Sequence, residues 1–280
     1  VDKAMITIFK RRTTCGKIRG LQIGEYIGAK INPEAGYEND VCVFIKMKPF
    51  MAGVKNYVDV IDNPRYIDFL RRNLHYGGIA ISKIAQEYIS NKSGRNDIVV
   101  IPQQHCNFEN IKRDRVEVTT AGYIGEERSL QNYEEIKDKL SRAGIKLICM
   151  WHAQVAPVKL PPGYYKKREE VVDFYKSIDV QIVWRPVIDP KVEYLKNPLK
   201  LSNAGSFRIP TVSYPEKSFV SEYFGSFVSA TCVNELVENV KNLSNDSALY
   251  KKYSLAAEEI AEGYHISNIA KLYKKLEDAR

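Results

Sequence analysis

Short apolar-rich runs recur along this chain, at 5–9, 41–46, 58–64, 78–82, 98–102, 116–125, 145–150 and 177–186, most of them closed by polar, glycine or proline residues. A run such as Val41-Cys42-Val43-Phe44-Ile45 does not alternate polar with apolar, so it predicts a strand buried on both faces of a parallel sheet. Helical patterns separate the runs, at 66–70, 84–91, 133–143 and 169–175. The strand–helix alternation holds on both sides of residue 110, and it predicts an α/β protein with two Rossmann-like, doubly wound parallel-sheet domains. The expected boundaries are 1–110 and 111–255. A terminal helix at about 256–280, interrupted near Gly263, is expected to pack back on the first domain.

At 280 residues the chain is long enough for two such domains. No apolar run approaches the roughly 18 to 20 residues that span a bilayer. The start, Val1-Asp2-Lys3-Ala4-Met5, carries no signal-peptide pattern, so a cytoplasmic protein is expected, with an inner membrane surface as one place for it to work. Five scattered cysteines (Cys15, Cys42, Cys106, Cys149, Cys232) form no CxxC pair, which argues against a zinc knuckle or a disulfide framework. Residues 1–120 hold 19 Lys+Arg against 13 Asp+Glu, or +6 of the net +8. An excess placed this way points the first domain toward an acidic partner.

The segment 195–216 carries the most chemistry. Asn197-Pro198 opens a short helix, because proline's missing N–H costs nothing in a first turn, and Ile209-Pro210 stops it before a buried strand. Lys196 and Lys200, four apart, are expected on one side of that helix near its positive end, either as a diphosphate cradle or as ordinary surface lysines. Residues Lys200-Leu201-Ser202-Asn203-Ala204 through Ile209-Pro210-Thr211-Val212 resemble the donor-binding segment of retaining family 4 glycosyltransferases of GT-B fold. There the pattern is lysine-leucine-x-glutamate-alanine, then x-proline-x-valine. Asn203 stands where that family usually has the glutamate that holds the ribose.

The resemblance implies two domains facing across a cleft and a nucleotide-diphosphate sugar, UDP-type favoured, as co-substrate, with no further cofactor and no metal. It implies that Lys200 and Arg185 stabilise the leaving diphosphate, with Lys196 assisting. Leu201, Ser202 and Asn203 would line the donor site, and Gly16 would close over the donor from the first domain. Arg185 ends the 177–186 run, and an arginine fork can grip a diphosphate bidentately.

On the acceptor side stand Asp62, Lys17 and His105. Asp62 follows a strand, at the edge where α/β sheets bind ligands, although it equally suits a helix N-cap. Gly16 and Lys17 lie in a strand–loop–helix stretch rich in Arg and Lys, which reads as a phosphate approach or as a solvated turn. His105, the most prominent of four histidines, lies near the predicted domain crossover and is either a cleft residue or a structural one. Anionic acceptors fit the charge: a lipid-linked or membrane-associated glycan, or DNA tracked by Arg11, Arg12, Lys17, Arg19, Tyr26, Arg71, Arg72, His75 and Tyr76. Two other classes stay open. One is a GT-B nucleotide-sugar epimerase, with Asp62 and Glu216 as its carboxylates; the other is a two-lobed binding protein without catalysis.

Overall fold

Each apolar run overlaps a strand, the 58–64 run only at its first two residues. In the computed structural model, which describes residues 5–114, 117–126, 129–151 and 167–278, the strands form two parallel sheets in two units. The first unit comprises Val1–Gln104, Asp189–Asn197 and Tyr264–Arg280; the second comprises His105–Ile188 and Pro198–Gly263. Residue 116 of the expected 116–125 strand and the last two residues of the expected terminal helix lie outside the described residues.

In chain order the first unit starts with β1 (Ile6–Lys10), a π-helical stretch (Gly16–Gln22) running into α1 (Ile23–Ile27), β2 (Lys30–Ile31), β3 (Val41–Ile45) and β4 (Lys55–Asp59). It continues with α2 (Arg65–Arg72), β5 (Tyr76–Ala80), α3 (Lys83–Ser93) and β6 (Ile98–Val100). The six strands lie in the order β2-β1-β3-β4-β5-β6, with Ile6 opposite Val41 and Val41 opposite Lys55. Phe9, Phe44, Val58, Ala80 and Ile98 pack with Ile67 and Leu70 of α2 and Ala85 and Ile89 of α3. The Ser82 hydroxyl caps α3 by accepting from Ala85 N–H at 3.2 Å, as its place before the helix predicts.

The first helical segment begins earlier than its apolar spacing suggests. Gly16 is not in an open loop: it sits in the first turn, where a Cβ would lie 2.1 Å from the Arg11 carbonyl oxygen. The glycine is required by the closeness of its own chain.

The second unit holds β7 (Thr120–Gly125), α4 (Tyr133–Arg142), β8 (Lys146–Trp151), α5 (Arg168–Ser177) and β9 (Val180–Val183), then α6 (Leu199–Ser206) and β10 (Thr211–Ser213). After these come α7 (Lys217–Glu222), β11 (Val228–Ser229), α8 (Val233–Asn245) and α9 (Ser247–Glu262). Its strand order is β11-β10-β9-β7-β8. One face packs Ala121, Val180, Ile182 and Val212 against Ile136 and Leu140 of α4 and Leu236 and Val240 of α8. The other packs Ile124 against Tyr175 of α5 and Ala204 of α6. Helix α6 also lies so close to α9 that a Cβ on Gly205 would come within 2.4 Å of the Ala257 carbonyl oxygen.

The expected terminal helix is two helices. The chain breaks at Gly263, and α10 (Ile266–Asp278) packs on α1 and β1 of the first unit, while residues 256–262 belong to α9 in the second.

Candidate functional site

In the second unit, β10, β9 and β7 are neighbours and parallel, so their carboxyl ends share one edge. Cationic, aromatic and carboxylate side chains gather along that edge. The Lys200 ammonium, in the first turn of α6, lies 4.6 Å from the centroid of the Tyr123 ring of β7. Gly125, the last residue of β7, leaves room for it: a Cβ there would be 3.0 Å from Lys200 Nζ and 2.7 Å from the Tyr123 hydroxyl. Pro198, at the N-cap of α6, provides no side-chain cap, so the positive end of the helix dipole adds to the lysine charge. Burial pushes the Tyr123 phenol up; the Arg185 charge pulls it the other way. Tyr123 is therefore a neutral aromatic platform at physiological pH.

Arg185 lies two residues past β9, but its fork is taken. Nε donates to Glu216 Oε1 at 3.0 Å and one Nη donates to Oε2. Glu216 is only 1% exposed, and a carboxylate so buried requires a counter-charge. The two residues are 31 apart in sequence, so spacing gives no warning of the pair. The expected bidentate grip on a diphosphate is thus used inside the protein. Among the described residues, Nη1 makes no hydrogen bond.

The remaining residues of the motif turn inward. Leu201 is 2% exposed and belongs to the interior. The Ser202 hydroxyl accepts from Tyr223 Oη at 2.9 Å and donates to the Pro198 carbonyl at 3.2 Å. The Asn203 side chain accepts the Cys106 N–H at 2.8 Å, which ties residues 105–107 to α6. Asn107 completes that tie by donating to the carbonyls of Ser206 and Ile111, both at 2.8 Å. His105, in this clamped segment, is 2% exposed, and its Nδ1 accepts from Asn107 N–H at 3.2 Å. Burial pushes the neighbouring Cys106 thiol up to about 12, so it is no nucleophile at neutral pH.

Lys196 is not on the helix face with Lys200. Its backbone is extended and α6 starts three residues later, so the four-residue spacing has no helical meaning. It belongs to a cluster in the first unit. Asp62, just past β4, meets Lys196 Nζ at 3.3 Å and Lys46 Nζ at 3.6 Å, and accepts from Cys15 Sγ at 3.6 Å. Asp62 and Lys46 both adopt left-handed backbone, with φ of 50° and 54°. The N-cap of α2 is Pro64, so Asp62 does not cap it. Lys17 is half-buried in the π-helical stretch.

Two members of the expected DNA track are unavailable to phosphates. Arg19 is fully buried, with Nε 2.5 Å from Asp59 and Nη1 donating to Ile101 O at 3.0 Å, and Tyr76 is 4% exposed. Sequence alone does not mark Lys46, Tyr123 or Gly125 as site residues. The ends of the runs that contain or precede them were the available signal.

Among the described residues no group of His, Cys, Asp and Glu side chains is arranged to hold a metal ion. No family model matches the chain, and no curated protein matches it. Solved structures do. Anabaena HepE in complex with UDP-glucose superposes with a TM-score of 0.64 at 10% identity, over 99% of this chain and 100% of that one. The fold is that of the GT-B glycosyltransferases. Among other GT-B structures, S. aureus TarM in a complex that contains UDP gives a TM-score of 0.57 at 11% identity, over 86% of this chain. The chain spans only 55% of TarM's length. An alpha-glucosyltransferase in complex with UDP and a 13-mer DNA gives 0.50 at 11% identity, over 98% and 99% of the two chains.

Proposed function

We propose that this protein is a glycosyltransferase that uses a nucleotide-diphosphate sugar, with UDP the favoured nucleotide. The observation that carries the reading is the Lys200 ammonium at the positive end of α6, seated on Tyr123 in space that Gly125 leaves open. When the bond between the sugar's anomeric carbon and the diphosphate breaks, negative charge builds on the leaving group. A fixed cation and a helix N-terminus stabilise that charge more than they stabilise the intact donor. Arg185, paired with Glu216 and close enough for its charge to act on Tyr123, adds positive charge at the same sheet edge. These fixed cations take the part a metal would, so turnover in EDTA is expected to equal turnover without it. Retention of configuration follows the family 4 resemblance of 200–212.

The second unit thus binds the donor. In the first unit, Asp62 accepts a hydrogen bond from an acceptor hydroxyl, and Lys46 and Lys196 favour an acceptor with an anionic group next to that hydroxyl. A lipid-linked or otherwise anionic glycan fits this better than DNA, since Arg19 and Tyr76 are buried. The cysteines are free thiols, in keeping with a cytoplasmic setting. The epimerase alternative needs free carboxylate bases, but Glu216 is paired with Arg185, and Asp62 with two lysines.

A thermal-shift screen against UDP, GDP, ADP and CMP, followed by incubation with the matching sugar conjugates, tests the reading. A ligand that binds the folded state alone raises the melting temperature. One nucleoside diphosphate should stand out, and its sugar conjugate should slowly release it. Epimerised sugar without release would make the protein an epimerase, and no stabilisation by any nucleotide would leave it a binding protein for something else.

A further inference from the structure

The amino-terminal edge of the first sheet presents aliphatic side chains to water on two turns that are firmly held. Met51 is 64% exposed, Val54 65% and Leu74 75%. Val54 and Leu74 each stand two residues before a paired position, Asn56 of β4 and Tyr76 of β5, so both turns emerge side by side. Buried Asn56 fixes the first turn: its Oδ1 accepts from Ala52 N–H and Gly53 N–H at 3.2 and 3.3 Å, and its Nδ2 donates to Gly53 O at 3.0 Å. Arg95, 7% exposed, fixes the second by donating to the carbonyls of Leu70, Asn73 and Leu74 at 3.2 to 3.3 Å. Apolar tips on floppy turns fold back onto the protein; these are pinned outward.

Positive charge surrounds them. Arg71 and Arg72 are exposed beside Leu74, and Lys55 follows Val54. The nearby carboxylates are matched, Asp68 on α2 by Arg71 at 3.0 Å and Asp97, just before β6, by Arg95 and the Lys55 charge. We infer that this edge docks on an anionic lipid surface, with Met51, Val54 and Leu74 entering the boundary between headgroups and acyl chains while Arg72 meets the phosphates. Apolar tips ringed by cations match both layers of such a surface. Three aliphatic side chains fall well short of the roughly 800 Å² per partner that a stable protein interface buries. Docking of this edge is independent of sugar transfer and is read without an activity measurement.

Co-sedimentation of the full chain with phosphatidylcholine vesicles, with and without phosphatidylglycerol, tests it. Binding is expected with phosphatidylglycerol, to weaken with added salt, and to fall about tenfold in a Val54→Asp/Leu74→Asp variant whose melting temperature is unchanged. An Arg71→Glu/Arg72→Glu variant, which keeps the apolar tips, should lose the preference for phosphatidylglycerol. No binding by the native chain, or undiminished binding by the folded Asp variant, would overturn the inference. So would a concentration-dependent dimer abolished by Leu74→Asp, which would make a second copy the occupant.

Discussion

Arg19 and Asp59 place two full charges in the interior of the first unit, 2.5 Å apart and both without exposure. Such a pair binds the π-helical stretch to β4, and removing one partner strands the other. Asp59→Asn is expected to cost about 3–5 kcal/mol in urea unfolding, whereas Arg19→Met with Asp59→Leu should cost much less. The cysteines give a second test at this scale. Burial raises the thiols of Cys15, Cys42 and Cys106 to about 12, so the thiolate is scarce at pH 8, while Cys232 is exposed. Mass spectrometry after brief iodoacetamide treatment of the native protein should find Cys232 modified and Cys42 and Cys106 intact. Labelling of Cys106 at the rate of Cys232 would contradict the clamp that Asn203 makes on its backbone. At this scale the sequence is a poor guide to partners: Arg19 reads as a surface cation, and Arg185 as a free fork, because Asp59 and Glu216 lie 40 and 31 positions away.

Helix α6 is the element on which the candidate donor site depends, and six of its eight residues, Leu201 to Ser206, are buried. It holds Lys200 at its start, Asn203 against residue 106, and Gly205 against α9. Gly205→Ala forces the Ala257 carbonyl away, since the new Cβ would lie 2.4 Å from it; a loss of about 1–3 kcal/mol is expected, read as a lower melting temperature. Elements with a strong local signature were legible: the apolar strand β3, the Ser82 cap of α3, and the Gly144 stop after α4 with its φ of 75°. Others were not. The two-residue strands β2 and β11 are too short to show a period, and a π-helical stretch shares the polar, glycine-bearing composition of a loop. Proline at 198 marks the start of α6 correctly, which is why Lys196 falls outside it.

For the whole molecule, the parallel sheets explain why the candidate functional residues gather where strands end: Asp62 and Lys46 beyond β4 and β3, Arg185 and Glu216 beyond β9 and β10. Stability should depend on acid carboxylates within each unit. In the second, burial pushes Glu258 up, but Lys112 at 2.7 Å and Arg208 at 2.6 Å outweigh it and hold the carboxyl below its usual range. Hydrogen bonds from Arg168 lower Glu109 as well. Depressed carboxyl values stabilise the fold above the unfolded pKa of about 4.3 and lose that contribution as pH falls through the folded values. Melting temperature should therefore decline in acid, and Glu258→Gln should be less stable at pH 7 and lose less on acidification.

The proposed donor site rests above all on Lys200 meeting the diphosphate of a nucleotide sugar. The measurement is nucleoside diphosphate release by native protein and by Lys200→Ala, both shown folded by their melting curves. Lys200→Ala is expected to lose about 10²–10³-fold in release at little cost in stability. A folded Lys200→Ala protein that releases nucleotide at the native rate would contradict that role for Lys200.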